Sequence, residues 1–403
     1  FQVKNKVIEI DNNKFKEVIG IPISSNETKK ILNSLGFRTK TSKKNLKIEI
    51  PTWRPDIHQD IDIIEELIRI KGFDKISLIH PEKIRSKETL SFKQKLFHLS
   101  QRAVATKGYL EAVTWSFTDS RIDKQFAQGK KEIKITNPIS SDLSVLRRSI
   151  FSNLIIYLKK NQDRGYLDLS LFEIGPTFSG SKPGEQQIVL GGLKSGVANR
   201  KSWDSKARNI DVFDVKADAI KTLIELGIEE GDLHISSKTQ DYYNPGRSGS
   251  VNLKSENGPR LAFFGEIHPA IVSNVDLKEK NVCGFEIFIK NIPEPKNKYR
   301  LTKKNYLVSE FQKSERDFAF VIDKNYKAGE LEQLIRESDK DLIKKVLIFD
   351  VFEGENMPEG KKSVAVNVTI QSMEKTLSQK DLDQVSQKII DIVKSKTGGT
   401  IRS

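Results

Sequence analysis

A chain of 403 residues with 37% apolar and 8% aromatic side chains has material for roughly two to four packed domains, which excludes a disordered polymer. One cysteine, Cys283, excludes an internal disulfide, and five scattered histidines (His58, His80, His98, His234, His268) show none of the spacings of a zinc site. The formal charge of +14 suits a nucleic-acid partner, but the lysines are dispersed as singles and pairs, so charge alone slightly favours a merely lysine-rich surface.

No apolar run approaches the roughly twenty residues that cross a bilayer, and the N-terminus carries no signal-peptide pattern, which predicts a soluble, cytoplasmic protein without a membrane partner. The chain enters at Phe1 on the strand-like FQVKNKVIEI, as a piece of a longer protein would. Residues 1–77 read as strand, helix, helix, strand, helix. SSNETKKILNSLGF has capping candidates Ser25 or Asn26, apolar Ile31, Leu32 and Leu35 at helical spacing, and a stop at Gly36. LKIEIP alternates as a strand and ends at Pro51. The helical period returns from Ile61 to Lys71, and Gly72 ends it. Residues 78–88 read as a linker.

A larger unit, 89–300, opens on the helical LSFKQKLFHLSQRAVATKGY. Strand-like AVTWSF, EIKITNP, LDLSLFEIG, QIVLGGLKSG, RLAFFGEIHP and VCGFEIFI follow, with helices at SIFSNLIIYLKKNQ and FDVKADAIKTLIELG. This predicts an α+β arrangement with a mostly antiparallel sheet. Residues 311–403 read as strand, helix, strand, strand, helix, strand, the βαββαβ order of a ferredoxin-like domain.

Chemistry-bearing motifs are sparse. There is no GxxxxGK[ST] phosphate loop, no GxGxxG between a strand and a helix, and no local nucleophile signature, so no catalytic residue is assigned. Asp56, Asp62, Glu65 and Glu66, with Asp60 nearby, concentrate acids within eleven positions. On a helix from Ile61 to Lys71, Asp62, Glu65 and Glu66 would share one face, opposite Ile61, Ile64, Leu67 and Ile68. Gathered carboxylates suit a hard cation such as Mg2+. Equally, the acids suit a helix N-terminus, with Asp62 as N-cap and Arg54 or Arg69 as ion-pair partners.

PTWRPDIHQDIDIIEELIRIKGFDKI resembles the signature P-x-x-R-x-D-I followed by D-x-x-E-E-x-x-R-x-x-G-[YF] of the beta subunit of bacterial phenylalanyl-tRNA synthetase. GYLEAVTWSFTD, ITNPISSDLSVLRRSIFSNLI, LFEIGPTF, YNPGRSG and FGEIHP resemble its synthetase-like core, in that order. SERDFAFVI and GGTIRS resemble the ends of its anticodon-binding module.

The resemblance implies a winged-helix-like N-terminal domain, a catalytically inactive class II synthetase-like core and a C-terminal ferredoxin-like domain. It implies a subunit of a two-alpha, two-beta ligase that joins phenylalanine to its tRNA with ATP and Mg2+, the alpha chain carrying the active site. It also implies that Asp56, Asp62, Glu65 and Glu66 hold Mg2+ shared with the alpha chain. Nothing resembles the family's oligonucleotide-binding and editing regions, so editing activity is expected to be absent.

Residues 311–403 contain 16 basic and 16 acidic side chains, so an RNA contact there needs local groups rather than net charge. Phe318, Phe320, Lys361, Lys362 and Arg402 fall on or near its strands, and core packing is the better expectation for the two phenylalanines; no individual tRNA-contacting residue is assigned. Arg147 and Arg148 read as a solvated or interfacial pair, Asn244–Gly249 as a turn, and His268 as a residue without a catalytic partner. The rival reading is a free-standing winged-helix and ferredoxin-like nucleic-acid-binding protein, against which the carboxylates of the third helix count.

Overall fold

The computed structural model describes residues 5–11, 13–42, 45–80, 90–294, 307–354 and 357–402. They fall into two compact units, Phe1–Arg102 and Ala103–Ser403. Residues 81–88 of the expected linker and residues 89 and 295–300 of the expected core lie outside the described residues. Among those described, no helix is long and apolar enough to cross a membrane.

The first unit runs β1 (Val7–Asp11), α1 (Lys14–Ile19), α2 (Ser25–Ser34), β2 (Arg38–Ser42), β3 (Asn45–Glu49) and α3 (Asp60–Lys71). Its antiparallel sheet has the order β1-β3-β2. Strand alternation turns Ile8, Ile10, Leu46 and Ile48 inward against Leu32, Ile63, Ile64 and Leu67 of the helices. Each such side chain contributes about 1.5–3 kcal/mol by leaving water. The cap of α2 is Ser24, one residue before the expected candidates, and its Oγ accepts the Glu27 N–H at 3.2 Å. Gly36, at φ +86°, turns the chain out of the helix as expected. Strand β2 was not anticipated, because its polar RTKTS carries no apolar alternation.

Helix α4 (Phe92–Ala105) follows. The second unit continues through β4 (Leu110–Glu111), β5 (Phe117–Thr118), α5 (Ser120–Gln125), β6 (Val145–Leu146), α6 (Phe151–Asp163), β7 (Leu169–Phe178) and β8 (Gln186–Ser195). Then come β9 (Val197–Asn199), β10 (Arg208–Asn209), α7 (Val212–Glu225), β11 (Leu233–Ser236), β12 (Tyr243–Leu253), β13 (Arg260–Ile267), α8 (Pro269–Asn274) and β14 (Val282–Phe288). The main sheet has the order β11-β12-β13-β14-β8-β7-β4, antiparallel except where β4 runs parallel to β7.

Helices cover both faces of this sheet. Successive residues of β8 show it: a side chain at Gly191 would meet Ile150 and Phe151 at the start of α6, whereas one at Gly192 would meet Phe285 and Tyr109. The Tyr109 hydroxyl bonds Asp218 of α7 at 2.9 Å, which puts α7 on the second face.

Three expectations fail here. AVTWSF is strand only at its last residue, Phe117, where β5 begins, while Val113 and Trp115 are exposed and pair with no strand among the described residues. EIKITNP contributes a single bridge, Lys134 to Val145. Asn244–Gly249 is not a free turn but an irregular stretch inside β12: the register slips between Tyr243 and Ser248, where Pro245 lacks a donor and Gly246 takes φ +80°.

The C-terminal part runs β15 (Ser314–Asp323), α9 (Ala328–Ser338), β16 (Ile343–Phe352), β17 (Lys361–Ile370), α10 (Gln379–Thr397) and β18 (Thr400–Ile401), the expected βαββαβ order. Its antiparallel sheet has the order β16-β17-β15-β18. Phe318, Phe320, Ile322, Val364, Val366, Val368 and Ile370 face Leu331 and Ile335 of α9 and Leu382, Val385, Ile389 and Val393 of α10. Both helices therefore cover one side of the sheet, and the other side is open.

Candidate functional site

The four acids of the first unit do not converge as helical spacing suggested. Glu66 is buried on α3, while Glu65 is exposed and, among the described residues, has no hydrogen-bond or ion-pair partner. Ile61, expected on the apolar face, is exposed, and Ile63 takes its place in the core. Asp62 is not the N-cap: Gln59 holds that position, and Asp62 accepts the backbone N–H groups of His58 and Gln59 at 2.7 and 2.8 Å. Those donors hold its carboxyl below the usual range.

Arg54 is the hub. Its guanidinium reaches Asp56 at 2.6 Å and Glu66 at 2.7 Å, while Arg69 binds the other oxygen of Glu66. The carboxylates hold Arg54 more firmly protonated than usual, and the Arg54 hydrogen bond lowers the pKa of Asp56. Burial pushes Glu66 up, but the hydrogen bonds from Arg54 and Arg69 outweigh it and the net shift is downward. Asp60 pairs instead with Lys14 at 3.2 Å. Among the described residues no group of three or more His, Cys, Asp or Glu is placed to hold a metal ion. In this geometry the cation between Asp56 and Glu66 is the Arg54 guanidinium.

In the core, Arg147 and Arg148 are buried rather than solvated. Arg147 bonds Glu173 at 2.7 Å, Thr114 at 2.9 Å and the Pro176 carbonyl at 2.9 Å. Arg148 bonds Asp123, which also accepts from Ser152 at 3.1 Å. Their partners lie 25 and 26 residues away in sequence, beyond any local pattern. Phe126, Phe151, Tyr242 and Tyr243 pack edge-to-face or tilted beneath α6. Glu286 sits wholly buried beside them, accepting from Ser149 at 2.8 Å and from Tyr242; burial pushes its carboxyl up despite both donors. Arg247 meets Glu266 at 3.1 Å, and His268 caps α8 by accepting the Ala270 N–H.

The open side of the C-terminal sheet presents a different surface. Register puts Ala319 and Val321 of β15 beside Ala365 and Ser363 of β17 on this side, the first three partly exposed and Ser363 buried. Phe352 of β16 lies opposite Ser363, and Arg402, whose N–H bonds the Ala319 carbonyl at 2.8 Å, follows β18 on the far edge. The Arg402 guanidinium lies 5.3 Å from the centre of the Phe352 ring. Leu347 shares this side, opposite Asn367, and Phe349 is exposed where the register of β16 slips. Phe318 and Phe320 stack on each other in the core, as expected. Lys361 lies opposite Asp323 at one end, and Lys362 opposite Ile322. Sequence reasoning named Arg402 but missed Phe352, whose exposure depends on the irregular register of β16.

The chain thus joins an open-faced four-stranded sheet, with an arginine laid on an aromatic ring, to a larger antiparallel-sheet core and a small N-terminal α+β domain. The segments match three family models: the tRNA synthetase B5 domain at residues 8–73, the phenylalanyl tRNA synthetase beta chain CLM domain at 78–289, and the ferredoxin-fold anticodon binding domain at 309–402. The chain belongs to the phenylalanyl-tRNA synthetase beta chain family. Relatives include the phenylalanine–tRNA ligase beta subunits of Paramagnetospirillum magneticum, 39% identical over 98% of this chain and 49% of that protein, and of Mesorhizobium japonicum, 36% identical over 99% and 50%. That of Bartonella henselae is 37% identical over 96% of this chain and 48% of its own length. The chain thus spans about half the length of these relatives.

Proposed function

We propose that this chain is the part of a phenylalanine–tRNA ligase beta subunit that scaffolds a catalytic alpha subunit, in an assembly of two alpha and two beta chains, and grips the tRNA for phenylalanine. It works in the cytoplasm, and its own core does no aminoacylation. The observation that supports the RNA part is the side of the C-terminal sheet that its two helices leave uncovered, where the Arg402 guanidinium lies over the partly exposed Phe352 ring.

Two measurements test the reading. Co-elution with a purified alpha subunit on size exclusion is expected, and failure to co-elute defeats the scaffold role. Phe352→Ala and Arg402→Ala are each expected to weaken binding of an anticodon stem-loop by about 5- to 100-fold, the worth of one stacked base. Unchanged affinity in both variants removes the sheet from the RNA contact.

Mg2+ on Asp56, Asp62, Glu65 and Glu66 is the finer part of the proposal. These four are among five carboxylates within eleven positions, which supports it, and an unpartnered Glu65 offers one free ligand. The ion must compete with Arg54 for Asp56 and Glu66, so the site belongs to the assembled enzyme rather than to this chain by itself. Asp62→Ala and Glu66→Ala are expected to weaken assembly in a Mg2+-dependent way; normal assembly of both at every Mg2+ concentration rules the ion out.

A further inference from the structure

Between β8 and α7 the chain makes a small excursion, the ribbon of β9 and β10 joined by residues 200–207. Its base is pinned twice. Arg200 pairs with Asp168 at 2.9 Å, and Arg208 pairs with Asp214 at 2.7 Å and with Asp211 at 3.3 Å. Its tip is closed as a turn: the Ser202 N–H bonds the Ser205 carbonyl at 3.1 Å, the two hydroxyls meet at 2.6 Å, and the Ser202 hydroxyl also reaches Asp204. Trp203, within that turn, is 98% exposed.

A turn held by its own hydrogen bonds presents the indole in a fixed place rather than leaving it to collapse onto the surface. Lys201 and Lys206 flank it, both exposed and, among the described residues, without a hydrogen bond or ion pair. Residues 200–208 contain four cations and one acid. The two arginines are neutralised at the base, and of the remaining charges beside the ring Lys201 and Lys206 outnumber Asp204, whose carboxylate accepts the Ser202 hydroxyl, so the balance there is positive by one. That combination discriminates between partners. Protein interfaces are enriched in Trp but depleted in Lys, whereas single-stranded RNA is held by aromatic stacking with lysines on the adjacent phosphates.

We propose that the ribbon Val197–Asn209 is a second RNA contact of this chain, separate from the sheet of the C-terminal domain. Trp203 stacks on an unpaired base, and Lys201 and Lys206 neutralise the phosphates on either side. The proposal rests on the reading that the chain binds tRNA, and its test distinguishes failure of the ribbon from failure of that reading.

The full chain is titrated with a complete tRNA transcript by fluorescence anisotropy across a salt series, for the unaltered protein, Trp203→Ala, Trp203→Phe, Lys201→Ala with Lys206→Ala, and Arg402→Ala. Trp203→Ala is expected to weaken binding about 5- to 100-fold, with Trp203→Phe in between. The double lysine variant is expected to flatten the slope of log affinity against log salt by about 1.5, the release of counterions at two phosphates. If both ribbon variants keep the original affinity and slope while Arg402→Ala weakens binding, the ribbon proposal is wrong and the sheet reading survives. If the unaltered chain binds no transcript, both fail. Ribbon variants that bind RNA normally but lose co-elution with the alpha subunit also overturn the proposal, making the ribbon a protein-docking element.

Discussion

Arg54→Ala is the sharpest perturbation of the first unit, because one guanidinium serves two carboxylates of unequal burial. Glu66 has a side chain only 9% exposed and keeps Arg69 when Arg54 is removed; Asp56 is largely in water and loses little. The cost is therefore that of one charge-assisted hydrogen bond to a buried acceptor, about 2 kcal/mol, well short of stranding an unpaired buried charge. For a unit of this size that lowers the melting temperature of its transition by roughly 8–16 °C in calorimetry of the whole chain.

The pH dependence has a definite sign. The folded pKa values of Asp56, Asp62 and Glu66 lie below their unfolded values, so their stabilisation is complete above the ordinary carboxylate range and is lost as pH falls through the folded values. Arg54→Ala removes part of that dependence and flattens the acid limb below about pH 4.5. Mg2+ at millimolar concentration leaves the unaltered chain's transition in place, since Arg54 already occupies the position between Asp56 and Glu66, and raises that of Arg54→Ala, in which Asp56 and the Arg54-facing oxygen of Glu66 are freed while Arg69 keeps the other. A variant as stable as the original, or an original chain that Mg2+ stabilises by several degrees, refutes the view that the arginine is the resident cation.

Three further outcomes follow from the second unit. Arg147→Met leaves the buried Glu173 without its cation, with only the Thr114 hydroxyl still donating to it, and is expected to destabilise the core by about 3–5 kcal/mol in urea unfolding, whereas a solvated arginine would have cost almost nothing. Phe320→Ala removes a fully buried ring stacked 5.8 Å from Phe318 and is expected to cost about 3–5 kcal/mol, read as loss of hydrogen-exchange protection in β15 and β17. Glu286→Gln tests the raised carboxyl. A folded pKa above the unfolded one gives stability that is full below the unfolded value and declines as pH rises, so the unfolding free energy of Glu286→Gln is expected to fall less between pH 5 and 8 than that of the original chain; parallel curves contradict this.

Much of the architecture is legible in local pattern. Alternating apolar residues in RDFAFVI and KKSVAVNVTI, and a helix capped by Ser378 and stopped at Gly398, locate the C-terminal domain without reference to anything distant. The third helix and its Gly72 terminus are equally plain. The same local rules misplace the acids, because helical period says which side chains are neighbours on one helix and nothing about what meets them. Arg54, twelve positions before Glu66, draws that side chain out of the acidic face and makes it part of the core boundary.

The sequence by itself therefore determined the segments, their order and the residue types available at each candidate site, since these depend on backbone periodicity, capping and turn chemistry within a few residues. Tertiary structure alone decided which charges are neutralised and which rings are exposed. It buried Arg147 and Arg148 against acids from other elements, slipped the register of β16 so that Phe352 faces outward, and brought Arg402 across the sheet to that ring. Pairing over tens of residues is set by how the sheets align and by the desolvation of each charge, and no local period encodes either.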